Sequence, residues 1–467
     1  MFPTHSGRII ATTNMVDLIT QLPTGIIATV LCEWLNLESL AALDSAQCNS
    51  QQRQFLHEIF ASLKYPNAPP SLLEWLLTKN ISVESITLSD DADIDMFRNY
   101  VRKLGESMRT IRLSEVDTIK ADIVMCTTLY CKRIKAFVCD DSTYDNSISN
   151  LLDCCKSLEE LRLGKYNVVP IIVKHRYPDL SPKQSNLRSI STTQFSFLES
   201  LLSEVPSAAF STVRLNLNSC KDMHSGSKDV SLIASFTKLT SLSLYACTFN
   251  DADIITIVKS CSHLVHLDLS ISANVTDVSV TYAAEDLPAL RTFNIELTSI
   301  TDASLLSIAQ HHGDHLVALY FADCAAITAV GVNAILQRCL VLRTLSMATY
   351  QSTSFEEPLN FPTLANLLTL TIEGRQEADD MLASVAKQCK KLRHLRLVCF
   401  APNICTDRGL TEIALHSEQL RLLVLVGEAP QIGTLALSLW NIVRPKLNIT
   451  YDRNMLTYHI LDRTECI

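Results

Sequence analysis

Apolar residues along this chain recur in one register that returns again and again. Leu264, Leu267 and Leu269 define it as leucine, two residues, leucine, one residue, leucine. Leu290, Phe293 and Ile295 repeat it, as do Leu316, Leu319 and Phe321, then Leu342, Leu345 and Met347, Leu367, Leu370 and Ile372, and Leu392, Leu395 and Leu397. The starts lie 25 or 26 residues apart. The same frame runs backwards through Leu239, Phe210, Leu187, Leu158, Ile134, Met108 and Val83 and forwards to Leu420, about fourteen copies. The last three residues of each copy alternate, so they predict a short strand with two side chains inward and the central one outward.

A helical rhythm follows each strand. After Ile300, the pair Thr301 and Asp302 precedes Leu305, Leu306, Ile308 and Ala309 at helical spacing. A hydroxyl or carboxylate there can cap the first-turn amides, and Asn250 with Asp251, Thr276 with Asp277 and Thr406 with Asp407 repeat the signal. A unit of one turn, one strand and one helix cannot bury its apolar face without a neighbour.

Cysteine marks the register. Cys131, Cys155, Cys261, Cys339 and Cys389 each sit three residues before a repeat leucine, where other copies have Gly105, Gly313 and Ser417. Cys247 and Cys324 fall eight residues after it. Positions that accept Cys, Gly or Ser are tight packing sites. On these residues the chain resembles the cysteine-containing leucine-rich-repeat proteins over roughly residues 80 to 450. The resemblance implies an α/β solenoid: a horseshoe with a parallel β-sheet on its concave face and helices on its convex face, filling 80–451. Prolines at Pro178 and Pro182, and at Pro358 and Pro362, replace helical stretches with extended connections. Asn218 to Asp229 and Phe400 to Asp407 read as longer loops.

Residues 16–63 break the register. Pro23 suits a first helical turn, and Ile26, Ile27, Val30, Leu31, Trp34 and Leu35 follow at helical spacing, with a second short helix through Leu40 and Leu43. This segment resembles the first half of an F-box. Its second half departs from that pattern, since Cys48 is followed by no nearby tryptophan, leaving Phe55 or Phe60 to fill the space. The resemblance implies docking on a cullin-ligase adaptor through Leu22, Pro23, Ile26, Ile27, Val30, Leu31, Trp34, Leu35, Leu40 and Leu43. The other reading is that these helices only cap the open end of the solenoid. Residues 1–15 are expected to be a disordered leader and 452–467 a cap or tail.

Composition narrows the chemistry. At 467 residues, compact domains would number about three; one elongated repeat array replaces them. Only 11 glycines argue against phosphate loops and dinucleotide folds. A net charge of −9 without a basic stripe argues against nucleic acid. No run of about 18 apolar residues predicts a membrane span. The 16 cysteines, with no apolar signal core in the first fourteen residues, fit a reducing compartment, cytoplasmic or nuclear.

No catalytic constellation, cofactor site or metal site stands out. His311, His312, Asp314 and His315 form the one histidine cluster, expected to diverge around a helix end at Gly313. An enzyme is not expected. The outward strand positions, Arg112, Arg162, Arg214, Ser243, Asp268, Asn294, Tyr320, Ser346, Thr371 and Arg396, with Thr87, Val138, Ser191 and Val424 completing the row, are the candidate face for an unidentified protein target. Arginine and tyrosine are favoured anchors on such faces. The function expected is a substrate receptor of a cullin-type (SCF) ubiquitin ligase, with a non-enzymatic scaffold or adaptor as the alternative.

Overall fold

The computed structural model describes residues 64–65, 68, 70–89, 92–114, 121–139, 151, 154–163, 186–220, 223, 226–349, 359, 361–374, 379–399, 406–427 and 448–452. The candidate docking residues at 22–43, the leader, the tail beyond 452, the connection at 173–182 and most of those at 356–362 and 400–407 lie outside them. The chain divides into two compact units, Met1–Ser211 and Thr212–Ile467.

In the first unit, β1 (Lys64–Tyr65) pairs in parallel with β2 (Ser82–Val83), and Ala68 bridges Ile86. In register, Tyr65 and Ala68 stand where leucines stand in later copies, so parallel pairing begins upstream of residue 80. Pro69 and Pro70 then follow. They offer no amide to a further strand. A separate sheet runs through β3 (Ser85–Leu88), β4 (Thr110–Leu113), β5 (Ala136–Cys139), β6 (Glu160–Leu163) and β7 (Ser189–Thr192), each parallel to the next. Ile86, Ile111, Phe137, Leu161 and Ile190 stack across these strands, all at 0% exposure.

The second unit repeats the plan with β8 (Arg214–Asn216), β9 (Ser241–Ser243), β10 (His266–Asp268), β11 (Thr292–Asn294), β12 (Ala318–Tyr320), β13 (Thr344–Thr349), β14 (Thr369–Gly374), β15 (His394–Cys399), β16 (Leu422–Gly427) and β17 (Asn448–Asp452). All pair in parallel in chain order. Leu242, Leu267, Phe293, Leu319, Leu345, Leu370, Leu395 and Leu423 form one inward row. Burying each such side chain contributes about 1.5–3 kcal/mol, and each does so only because a neighbouring strand covers it. β17 continues the frame past Leu420 although Lys446 stands at its first leucine position.

One copy was misregistered in the sequence frame. Phe210 is 60% exposed, whereas Thr212 is wholly buried at the first leucine position. Pairing confirms the slip of two residues: Arg214 lies opposite Ser241, and Asn216 opposite Ser243. Phe210 belongs to the short helix Ala208–Ser211 that precedes the strand. An apolar phenylalanine outcompeted the correct threonine in a frame judged by hydrophobicity alone.

Both cysteine slots are core. Cys131, Cys155, Cys261, Cys339 and Cys389 are buried and unoxidised. Burial pushes the Cys155 thiol up to about 11 and those of Cys261, Cys339 and Cys389 to about 12. The corrected register adds Cys220 to the second slot, in line with Cys247, Ser272, Thr298 and Cys324, all buried. These side chains tie each turn to its neighbours: Cys247 Sγ donates to the Leu217 carbonyl at 3.3 Å and Cys324 Sγ to that of Ile295 at 3.1 Å.

The residue before this slot explains how so few glycines suffice. Ser219, Ala246, Ile271, Leu297 and Asp323 all adopt left-handed backbone, with φ of 57°, 56°, 55°, 53° and 58°. The conformation is held because each of the first four amides donates to a carbonyl of the next turn, as Ala246 does to Ser270 at 2.9 Å. Side chains other than glycine adopt it at a cost of about 1–2 kcal/mol. Ala246→Gly is therefore expected to raise unfolding stability by about 0.5–1 kcal/mol in urea titration.

Helix starts follow the predicted caps, with one addition. The side chains of Thr276, Thr301, Thr328 and Thr406 each accept from the amide two residues on. Asp251, Asp277 and Asp302, each directly after its cap, and Asp379, the first residue of its helix, reach forward to the next repeat. Asp251 accepts from the Thr276 amide at 2.9 Å, its hydroxyl at 2.6 Å and the Ser279 hydroxyl at 2.5 Å. Asp277 binds Thr301 and Ser304 in the same way, Asp302 binds Thr328, and Asp379 binds Thr406. Burial alone would raise the pKa of Asp251 and Asp277, but these hydrogen bonds outweigh it and lower both. Gly331 and Gly409 stand where Ser279 and Ser304 stand in their copies, and a Cβ on either would overlap the facing carboxylate.

Candidate functional site

Strand alternation sends two side chains per strand to the face opposite the helices. In the first unit the central row runs Thr87, Arg112, Val138, Arg162 and Ser191, in the register the leucine frame predicts. Arg112 and Arg162 are exposed, and Val138 between them is buried to 3% exposure.

In the second unit the row reads Asn216, Ser243, Asp268, Asn294, Tyr320, Ser346, Thr371, Arg396, Val424 and Thr450. Arg214 is thus corrected out of this row. It lies two residues earlier, beside Ser241, and Asn216 takes its place. Ser346 is also not the open position its register implies: it is buried to 5% exposure, and its hydroxyl donates to Glu296 Oε1 at 2.8 Å across the intervening strand.

The centre of this row is hydrogen-bonded into fixed geometry. Ser243 Oγ lies 2.6 Å from Asn218 Oδ1 and 3.0 Å from Asp268 Oδ2, so its one proton serves either acceptor. The other oxygen of Asp268 accepts from the Ser270 amide at 3.0 Å and hydroxyl at 2.6 Å. Asn216 and Asn294 each accept from the amide two residues on. Such locked polar groups lose little entropy when a partner binds. Sequence reasoning missed Asn216, Asn218 and Glu296; Asn216 was findable by testing the frame at Thr212, but the two-strand reach of Glu296 has no sequence signal.

The histidine cluster is rearranged relative to expectation. His311 Nδ1 turns back to the Ser307 carbonyl at 2.9 Å, but His312 Nδ1 and His315 Nε2 converge to 3.0 Å, with the rings nearly perpendicular. Helix Asp302–His312 holds one residue more than its neighbours between cap and repeat leucine. Leu316 therefore donates to the carbonyl of His312, four residues back, where Leu264, Leu290 and Leu342 reach three back. His312, not Gly313, fills the slot that Cys261 and Cys339 fill elsewhere, and it is wholly buried. Among the described residues no group of three or more His, Cys, Asp and Glu is placed to hold a metal ion, and no helix is long and apolar enough to cross a membrane.

No family model and no curated protein matches the chain. Among solved structures it is similar to a chain in the crystal structure of the Rad7 and Elc1 complex in yeast, with TM-score 0.54 and 13% identity, covering 96% of this chain and 98% of that one. The fold is a leucine-rich-repeat solenoid. An internalin (inlF) of Listeria monocytogenes matches at TM-score 0.36 and 18% identity, over 79% of this solenoid chain and 88% of its own. A chain of the TLR13–ssRNA13 complex matches at 0.39 and 15%, over 81% and 55%. At these identities the likeness to the yeast chain is one of solenoid architecture.

Proposed function

We propose that this protein is a non-enzymatic receptor that holds a protein target on its sheet face and carries it to a cullin-type (SCF) ubiquitin ligase, in the cytoplasm or nucleus. The observation that carries the first half is the uninterrupted row from Asn216 to Thr450. Nine spacings of ~4.8 Å give roughly 43 Å of rigid surface, suited to a macromolecule that buries ~800 Å² per side. Fixed Asn, Asp and Ser groups set its register, with Tyr320 and Arg396 as anchors. The first unit carries exposed Arg112 and Arg162 on its own sheet face. Its contribution is proximity: a bound target is presented at high effective concentration to a reaction performed elsewhere.

The second half rests on the F-box-like sequence of Leu22, Pro23, Ile26 and Ile27 and is supported by the fold likeness to a chain crystallised in a two-protein complex. Co-purification tests it. The full chain should recover a cullin adaptor, and Ile26→Asp with Ile27→Asp should reduce recovery at least tenfold, as buried charge in an apolar contact requires, with unchanged far-UV circular dichroism. Recovery of targets without any adaptor would replace the ligase reading with that of a scaffold.

A further inference from the structure

The corrected register of β8 brings together residues that the leucine frame kept apart. Arg214, Ser241, His266 and Thr292 stand side by side on adjacent strands, on the same face as the row just described. Two strand spacings, roughly 10 Å, separate Arg214 from His266, with the Ser241 hydroxyl between them. Arg214 is exposed, and neither its guanidinium nor the hydroxyls of Ser241 and Thr292 have a partner among the described residues. On the same face, Ser243, Asp268 and Ser346 are already bonded.

His266 is the decisive member. Its Nδ1 is sealed from solvent with no hydrogen-bond partner, whereas Nε2 is neither sealed nor bonded. A proton on Nδ1 would be a buried orphan donor. The neutral ring therefore carries its proton on Nε2, which faces outward as a donor. Burial, and then the charge of Arg214, lower the pKa of this ring, so the two side chains sense each other across Ser241.

We propose that Arg214, Ser241 and His266 form an anion subsite that takes a phosphorylated side chain of the bound protein. The donors are a planar guanidinium fork, a hydroxyl and an imidazole N–H, with the Thr292 hydroxyl beside them. A carboxylate has two oxygens in one plane and is satisfied by the guanidinium alone. A phosphate monoester presents three oxygens on a tetrahedron and close to two negative charges, which uses every donor in the row. Asp268, two residues along β10 on the same face, does not compete for those donors because its oxygens are engaged by Ser243 and Ser270. The inference rests on the target-holding reading of this face and is independent of the adaptor.

The test uses the full chain labelled with ¹³C-histidine, titrated with inorganic phosphate at constant ionic strength and with acetate as the control. The His266 ring signal, identified by its loss in His266→Gln, should move saturably with phosphate and not with acetate. Arg214→Gln, at an exposed position and with an unchanged melting temperature, should weaken that response about tenfold or more. A flat or unsaturable response, an equal response to acetate, or an Arg214→Gln titration like that of the parent chain would overturn the subsite. Such a result would leave adaptor and target co-purification untouched, so the two readings fail separately.

Discussion

Asp277→Ala is expected to lower unfolding stability by about 3 kcal/mol, and Asp251→Ala, which removes the same set of bonds, by a similar amount. The carboxylate accepts four hydrogen bonds from the following repeat, two from amides and two from hydroxyls. Water can replace the partner of half-exposed Thr301, but Ser304 is wholly buried, and its hydroxyl would be left with no acceptor at a cost of about 1–3 kcal/mol. The lost charge-assisted bonds supply the rest. Because stability in a solenoid is largely the sum of interfaces between repeats, the variant should also unfold less cooperatively, with a broader urea transition and faster amide exchange at Thr301 and Ser304. Asp277→Asn keeps an acceptor and should lose roughly half as much. The pH dependence has a defined sign. The folded-state pKa lies below the ordinary carboxylate value, so the contribution is full above pH ~4 and is lost as pH falls through the lowered folded value. A loss under about 0.5 kcal/mol, the scatter of ordinary surface changes, would show that the ladder carries no stability.

That ladder marks the limit of what the sequence shows. The cap residues Asn250, Thr276, Thr301 and Thr406 announced their helix starts correctly, because an N-cap is a local contact between residues two or three apart. The aspartate's destination is 24 to 28 residues away in the next repeat, and only stacking brings the two ends together. The room that Gly331 and Gly409 make for a carboxylate of the previous repeat has no local sequence signal for the same reason. The outward row was legible wherever apolar residues fixed the pleat, as from Ser243 to Val424. It failed at Arg214 because a phenylalanine two residues before the true start imitated the pattern, and alternation cannot detect a slip of two. The last strand escaped notice because Lys446 breaks the leucine signature while backbone pairing continues.

His312 should make the molecule acid-sensitive in a window above that of the aspartates. Its slot holds Cys261, Leu287 and Cys339 in neighbouring copies; the extra residue before Leu316 places an imidazole there, with Nδ1 against His315 and Nε2 sealed without a partner. Burial, then the charges of His315 and His311, push its pKa down to about 4. The unfolded chain takes up a proton near pH 6.5 while the folded chain does not until about 4. Stability is therefore full above the unfolded value and declines as pH falls between the two, by a total of about 3 kcal/mol at ~1.4 kcal/mol per unit. Asp314 and Cys339 also lie close, but the thiol is uncharged throughout this range, with burial and then Asp314 holding its pKa up at about 12. Urea midpoints measured between pH 7 and 4.5 should show the decline. His312→Leu replaces the ring with an apolar side chain of similar volume and different shape. It should cost about 1 kcal/mol at pH 7 through imperfect packing, remove most of the slope, and leave the variant the more stable of the two at pH 4.5. Parallel pH curves for the two proteins would place the acid sensitivity elsewhere, with His266, whose pKa is lowered by burial and by Arg214, as the next ring to replace.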